Sequence, residues 1–529
     1  MKTKNNLLLL ITLLIASCSD ANNSKNFEVS LHDKPLLEVP VQPRPLPNPD
    51  KNAYFGDLHV HTENSFDAYT FGTISTPVDA YKYARGHAIQ HPSGYLIQLS
   101  RPLDFYAVTD HGVFMGLMKE AADTTSEFSK YEFTKPLHNL NESGGTGFLD
   151  LIKRGGLFKP FGEKVREGVA DGTIDESLIL EVGRTVWQKT IKAADDAYVP
   201  GTFTTFAAYE YTSSFDLYDK YLHRNVIFKN TKNLPTRLFT RSDNQDPEAL
   251  WDWMNGLRSN GVESLAIPHN SNISGGASFS LNDYNGGPID EEYAKNRSLN
   301  EPLVEITQVK GTSETHPLLS KNDEWAAFEV KTGVEAEKLL SNLKGSYVRD
   351  AYLRGLTLSE KGLTNPYKFG LIGSSDAHVG GPSDTEEVFH SKVGLLDGTA
   401  ELRGSIPFNR FYGTFLKVLR PNILKEVDGK NYFSASERLV QFAASGLAGV
   451  WAEENTREAL YDAFRRKETF GTSGPRMKVR FFAGYDLENS KLDDLSLIQD
   501  AYARSIPMGG TLNIEANKNP TFLVWAIAD

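Results

Sequence analysis

Cysteine is all but missing from this chain. Cys18 is the single one among 529 residues, so no disulfide forms within the chain, and a thiolate metal site or cysteine nucleophile is excluded beyond the N-terminus. Any bound metal must be held by His, Asp and Glu, a donor set that suits zinc or manganese, with iron also possible. Positive charge is in deficit as well: 56 Lys and Arg stand against 68 Asp and Glu, a net charge of −12. Such a surface argues against nucleic acid or an anionic membrane as the main partner. The glycine-rich stretch Gly144-Gly145-Thr146-Gly147 is not followed by Gly-Lys-Ser/Thr, so it reads as a turn and not as a phosphate loop. No internal repeat is visible, and no protein partner is expected.

Long apolar runs are confined to the N-terminus. Lys2 and Lys4 precede an apolar stretch from Leu7 to Ile15, broken only by Thr12, which is too short to span a bilayer as a mature helix. It ends Ile15-Ala16-Ser17-Cys18, which resembles a bacterial lipobox. The expectation is a leader over 1–18, a lipid on Cys18 that attaches the protein to the membrane, and a polar, proline-rich tether over 19–50. Ser19 after the cysteine points to the periplasmic face of the outer membrane in the bacterial cell envelope. An ordinary secretory leader with an incidental cysteine is the alternative.

What recurs along the remaining chain is a short apolar run with a His, Asp or Glu near its end. Tyr54 to Leu58 leads to His59 and His61, and Phe105 to Val108 leads to Asp110 and His111. Phe203 to Tyr209 leads to Glu210, and Leu265-Ala266-Ile267 leads to His269. Val304 to Val309 leads through a glycine turn to Glu314 and His316, and Phe369 to Ile372 leads to Asp376 and His378. These runs read as buried strands. Helices lie between them: one starts at Thr76-Pro77 and ends at Gly86, another spans Asp246 to Leu257, and a third spans Asn455 to Lys467. Alternating strands and helices imply an α/β layout with parallel strands. In barrels of that kind the site collects at the C-terminal strand ends, where these polar residues fall. The interval from about 113 to 200 reads as a helical insertion, and the pair Trp251, Trp253 as core packing. His32 lies in the tether, His138 and His390 in polar loops, and His87 and His91 after a helix end, where surface or capping roles are the default.

Residues two apart on a strand share a face, so His59 and His61 can grip one ion, and Asp376 with His378 repeats that spacing. Asp57-Leu58-His59-Val60-His61-Thr62, then Ser65 and Asp67, resembles the first motif of the PHP (polymerase and histidinol phosphatase) superfamily. Thr109-Asp110-His111 resembles the second motif, and His223, before the apolar run Val226-Ile227-Phe228, resembles its histidine ahead of a strand. Ile267-Pro268-His269 and Ser375-Asp376-Ala377-His378 are similar to the later motifs. The segments from Val450 to Glu458 and from Thr472 to Arg476 look like a PHP-related family of exported bacterial proteins.

The resemblance implies a distorted (β/α)7 TIM-like barrel over 51–380, carrying the 113–200 insertion, with a C-terminal extension over 381–529 packed on it. It also implies two or three divalent metal ions. His59, His61, Glu210 and Asp376 would hold the first, Glu210 would bridge to a second on His223 and His269, and His111 and His378 would carry the third. Where many relatives complete the third site with histidine, this chain has Asp67. Asp110 is a further candidate ligand. The implied chemistry is hydrolysis by a metal-bridging hydroxide, on small phosphate mono- or diesters first. Arg224 and Lys310 are candidate phosphate clamps, and His316 a candidate general acid. Hydrolysis of amide, carbamate or lactone bonds stays open, as does a non-catalytic binding lipoprotein.

Overall fold

The computed structural model describes residues 46–529 apart from 143–147, 214–221, 332–342, 420–422, 435–440, 488–493 and 495. The expected leader, Cys18, the expected tether up to residue 45 and the glycine-rich stretch Gly144–Gly147, expected to be a turn, therefore lie outside the described residues. No helix among the described residues is long and apolar enough to cross a membrane.

Ten strands carry the part of the fold that matters for the site: β1 (Asn52–Asp57), β2 (Phe105–Ala107), β3 (Thr204–Phe206), β4 (Ala208–Tyr211), β5 (His223–Phe228), β6 (Ser264–His269), β7 (Leu303–Gln308), β8 (Gly370–Gly373), β9 (Leu447–Ala452) and β10 (Thr469–Thr472). One sheet runs β10-β9-β1-β2-β3, a second runs β4-β5-β6, and a third pairs β7 with β8 and with the short strand Gly311–Thr312. β1, β2 and β3 are mutually parallel, as are β7 and β8. The expectation of parallel strands stops there. β4, β5 and β6 are antiparallel, and β9 is antiparallel to both β1 and β10. No helix separates β4 from β5 among the described residues, so no crossover is seen that would return the chain in the same direction. Two isolated parallel bridges link the sheets: Val60 with Ala377, both beyond strand ends, and His111, beyond the end of β2, with Glu210 of β4.

Helices form where the sequence has start signals. In α1 (Pro77–Ala84) the Thr76 side chain accepts from the Asp79 amide and Asp79 reaches back, a capping box followed by proline at the first turn. Residues 113–200 contain α2 (Phe148–Ala170) and α3 (Glu176–Ala197). α3 is not an ornament: Ala193 and Ala194 share a core cluster with Tyr81 and Tyr83 of α1 and Tyr106 of β2. It is the crossover helix that lets β3 run parallel to β2. Asp246 caps α4 (Pro247–Ser259), whose Trp251 is buried and whose Trp253 is partly buried against the core.

The C-terminal region enters the central sheet. β9 pairs along nearly the whole length of β1, and α5 (Arg457–Arg466) sends Leu460, Tyr461, Ala463 and Phe464 into the cluster that also holds Leu58, Phe105, Phe206, Ile267 and Ile372. Close approach demands glycine here. A Cβ on Gly373 would lie 2.7 Å from the Leu447 carbonyl oxygen and 2.8 Å from that of Thr472. Lys478–Gly484 and Thr521–Ile527 form a separate antiparallel pair further on.

Candidate metal centre

Beyond β1 the chain bends at Leu58 and pairs again at Val60 with Ala377, and its side chains sort to two sides. Leu58 and Val60 are buried in apolar clusters, whereas His59 and His61 turn together to the opposite side. The segment after β8 is zipped onto this one: the Asp376 amide donates to the His59 carbonyl at 2.8 Å, the His61 amide to the Ala377 carbonyl at 2.8 Å, and the Gly380 amide to the His61 carbonyl at 3.0 Å. Asp57 staples both, accepting from the amides of His59 at 3.0 Å and Ser375 at 3.1 Å. Asp376 sits at φ +57°, left-handed backbone that aspartate tolerates better than most residues.

Four overlapping groups of side chains have ligand atoms within 4.8 Å of one another: His59, His61 and Asp376; His59, His269 and Glu305; Glu210, His223 and His269; and His61, Asp67, His111 and His378. Glu210 lies among them. Its Oε2 is 3.6 Å from His59 Nε2 and 3.2 Å from His61 Nε2, and its Oε1 is 2.6 Å from His223 Nδ1 and 3.3 Å from His269 Nε2. Asp67 reaches His378 Nε2 at 2.8 Å and His111 Nε2 at 3.2 Å. These groups could hold metal ions.

Hydrogen bonds around the cluster decide which face of each imidazole is offered to it. Ser65 Oγ donates its one proton to Asp110 Oδ1 at 2.8 Å. It must therefore accept from His61 Nδ1, 2.8 Å away, which leaves the His61 Nε2 lone pair pointing inward. Glu305 Oε2 lies 2.7 Å from His59 Nδ1 and sets the same tautomer there. Thr212 Oγ1 donates to Glu210 at 3.4 Å and accepts from His111 Nδ1 at 2.5 Å. The Nε2 atoms of His59, His61 and His269 are buried and have no hydrogen-bond partner among the described residues. Buried polar atoms left without partners are costly; imidazole lone pairs converging beside carboxylates fit a cation.

The electrostatics point the same way. Burial lowers the pKa of His59, but Asp376 and Glu305 outweigh it and raise it to about 10. His111 is likewise raised, to about 9, by Glu210 and Asp67 against the pull of burial. His61 falls to about 4 through burial and the neighbouring His378. Burial opposes ionisation of Asp67, Glu210 and Asp376, yet their cationic neighbours hold all three well below the usual carboxylate range. At His59 and His111 the carboxylates favour a positive charge that a metal cation can supply in place of the proton, while His61, His223 and His269, all lowered by burial, are held as neutral imidazoles able to ligate.

The sequence offers ten ligand candidates, and the structure brings nine of them together. Asp110 stands behind the cluster: its oxygens accept from the Thr62 amide and hydroxyl, each at 2.6 Å, and from Ser65. It positions His61 through Ser65 and does not face the chamber. Arg224 is not a phosphate clamp. It follows His223 on β5, so its side chain points to the other face, where it is buried with Nε 2.7 Å from Glu301 Oε1. His316 is not placed as a general acid either. Its ring lies against Tyr347 and its Nδ1 accepts from the Leu318 amide, while nearby Glu314 pairs with Arg349 at the surface. Lys310 does reach the chamber, with Nζ against Asp376.

Two contributors escape a reading of the sequence. Glu305 lies inside β7, within an apolar run whose other polar candidates, Glu314 and His316, come only after the strand has ended. The alternation of side chains along that strand was the available signal. Lys392 is buried, with Nζ 3.2 Å from Asp376 Oδ1 and 3.0 Å from His378 Nδ1. It comes from a loop with no periodic signal. His91 also departs from its surface reading: it is fully buried and stacked on Tyr95.

Residues 48–529 match the family described as "Protein of unknown function (DUF3604)". None of the curated proteins matches the chain at a significant level. One solved structure, a two-domain protein from Bacteroides vulgatus described as containing a predicted PHP-like metal-dependent phosphoesterase, aligns over 82% of this chain and 68% of its own. The identity is 9% and the TM-score 0.31, too slight a likeness to establish fold or function.

Proposed function

We propose, from the premise that this chain belongs to the DUF3604 family, that it is a metal-dependent hydrolase of small phosphate mono- or diesters. One observation carries the reading. The buried Nε2 atoms of His59, His61 and His269 lack hydrogen-bond partners among the described residues, and the Nδ1 acceptors Glu305 and Ser65 aim two of them at Glu210 and Asp376. His59, His61, Asp376 and Glu210 would hold one ion, Glu210 with His223 and His269 a second, and Asp67, His111 and His378 a third. Zinc, manganese or iron suits this donor set. When bound, such ions supply Lewis acidity toward an ester oxygen and lower the pKa of water.

The chain's own residues do the rest. Glu305, Ser65 and Thr212 hold the imidazoles in one tautomer and orientation. Lys310 and Lys392 place two ammonium groups beside Asp376, where they complement oxyanion charge. Lys310, with its side chain 16% exposed, is the one a substrate can meet. The net reaction adds water across the ester bond and releases a phosphate and an alcohol.

The same reading extends to the whole protein. The bridges Val60–Ala377 and His111–Glu210, together with the parallel β1-β2 and β7-β8 pairs, support a distorted seven-stranded barrel with the site at its strand ends. The Ile15 to Cys18 stretch supports a lipid-anchored enzyme in the bacterial cell envelope, acting on small diffusible substrates.

Protein lacking residues 1–18 should carry metal by elemental analysis and turn over chromogenic phosphomonoesters or phosphodiesters in preference to carboxyl esters and carbamates. Metal-free protein without chelator-sensitive turnover of any of these overturns the hydrolase reading. Turnover of carboxyl esters or carbamates alone overturns the phosphate assignment.

A further inference from the structure

Apart from the metal cluster lies a cavity of about 390 Å³. That is within the size range of small-molecule sites. It is bounded by α2, α3 and the segment 237–245, and Gly112, directly after His111, forms part of its wall. The Gly112 amide donates to the Glu210 carbonyl at 2.8 Å, so the backbone of the cavity wall is bonded to that of a residue in the metal cluster. None of the residues grouped around the metal centre lines this cavity.

Its lining has two characters. Leu117, Val165, Val169 and Leu180 make an apolar floor. Arg166, Arg184, Arg237 and Arg241 make the rim. Four guanidinium groups around one cavity stand out in a chain whose net charge is −12. Their counter-charges are few. Arg237 pairs with Asp243, Arg184 approaches Glu181 only at 3.8 Å, and Glu176 is the one carboxylate in the wall. Among the described residues neither Arg166 nor Arg241 forms an ion pair with a carboxylate. Arg241 is partly buried, and burial together with the nearby Arg166 pulls its pKa below the ordinary guanidinium value. Two like charges held close over an apolar floor attract an anion that can enter between them.

We propose that this cavity binds a small amphiphilic anion, an apolar body bearing a sulfonate, carboxylate or phosphate group, at a site distinct from the metal chamber. The floor takes the apolar body and the arginines take the charged end. Neither half of such a ligand suffices alone, because the rim is solvated and the floor is small.

Calorimetric titration of the metal-loaded protein with octane-1-sulfonate, methanesulfonate and 1-octanol tests this. The expected result is one saturable site for octane-1-sulfonate, with the other two at least about tenfold weaker. Joint substitution Arg166→Gln and Arg241→Gln should weaken octane-1-sulfonate by about tenfold or more with an unchanged melting temperature. Gly183 lines the cavity on α3, and a Cβ there meets nothing within 4 Å, so Gly183→Met should fill the space and abolish binding without unfolding the protein. His59→Ala should leave octane-1-sulfonate binding intact. Absence of a saturable site, or equal affinity in the arginine variant, overturns the proposal. So does loss of binding in His59→Ala alone, which would locate the ligand in the metal chamber. None of these readouts depends on turnover, so the result is separable from the hydrolase reading.

Discussion

His223 stands directly opposite His269 across the antiparallel pair β5 and β6, and the Glu210 carboxylate lies against both rings. Glu210 and His223 are close in sequence, an unusual spacing for two ligands of one ion. The antiparallel pairing of β4 with β5 accounts for it: the register sets Glu210 opposite Asn225 and brings His223 back to the same end. Alternation along β5 then turns Arg224, the next residue, away from the chamber.

Removing metal should destabilise the protein measurably. Bound ions add their binding free energy to the folded state, and without them the buried lone pairs of His59, His61 and His269 lose their partner. Thermal unfolding before and after exhaustive chelation should differ by about 5 °C or more, with recovery on adding back zinc or manganese. Identical melting curves would refute the metal assignment.

Glu305→Gln should weaken metal binding while the fold persists. The carboxylate orients His59 through Nδ1 and is itself held by Gln308 Nε2 at 2.8 Å. Loss of such a partner lowers metal affinity by about 10- to 100-fold. Competition with a chromophoric chelator measures it, and unchanged affinity would remove Glu305 from the site.

Arg224→Ala should act on stability and not on turnover per folded molecule. It leaves Glu301 buried with Arg297, 3.0 Å away, and the Trp251 indole N–H, 2.9 Å away. The cost should be about 3 kcal/mol, the low end for breaking a buried pair, because two partners remain. Urea unfolding reads it. A large rise in KM at unchanged stability would instead restore Arg224 as a substrate clamp.

Acid should destabilise the protein through histidines remote from the metals. Burial lowers His91 to about 3 and His390 to about 4, from an ordinary value of 6.5. The unfolded chain therefore binds protons that the folded one refuses, so their contribution is full above about pH 6.5 and is lost as pH falls toward 4. At pH 5 the wild-type protein should lose about 4 kcal/mol, about 2 from each histidine, relative to the joint His91→Gln and His390→Gln variant, each compared with its own stability near pH 7.5. Parallel pH profiles in denaturant titrations would contradict this.

Gly373→Ala should couple the C-terminal strands to the site. Its Cβ would collide with the carbonyl oxygens of Leu447 and Thr472. The resulting shift of β8 displaces Ser375 and Asp376. A loss of about 2–4 kcal/mol is expected, with weaker metal binding. Wild-type stability together with wild-type metal content would show that β8 and the C-terminal strands do not pack as closely as described.

The sequence by itself determined the ligand inventory. His59-x-His61, Asp67, His111, Glu210, His269, Asp376 and His378 were legible because nearly all of them close an apolar run, and runs of buried residues announce strands whatever their partners. Helix starts at Thr76 and Asp246 were legible for an equally local reason, since a cap and its amide lie within one turn. Strand direction and facing were decided only in the tertiary structure. Whether β5 runs with or against β4 depends on pairing energies between separate segments, and that choice turned Arg224 toward Glu301 and His223 toward Glu210. Glu305 and Lys392 became visible only there, because a buried charge declares its role through the partner that neutralises it. For Glu305 that partner is His59, far away along the chain; for Lys392 it is Asp376, on a separate loop that meets it only in the folded chamber.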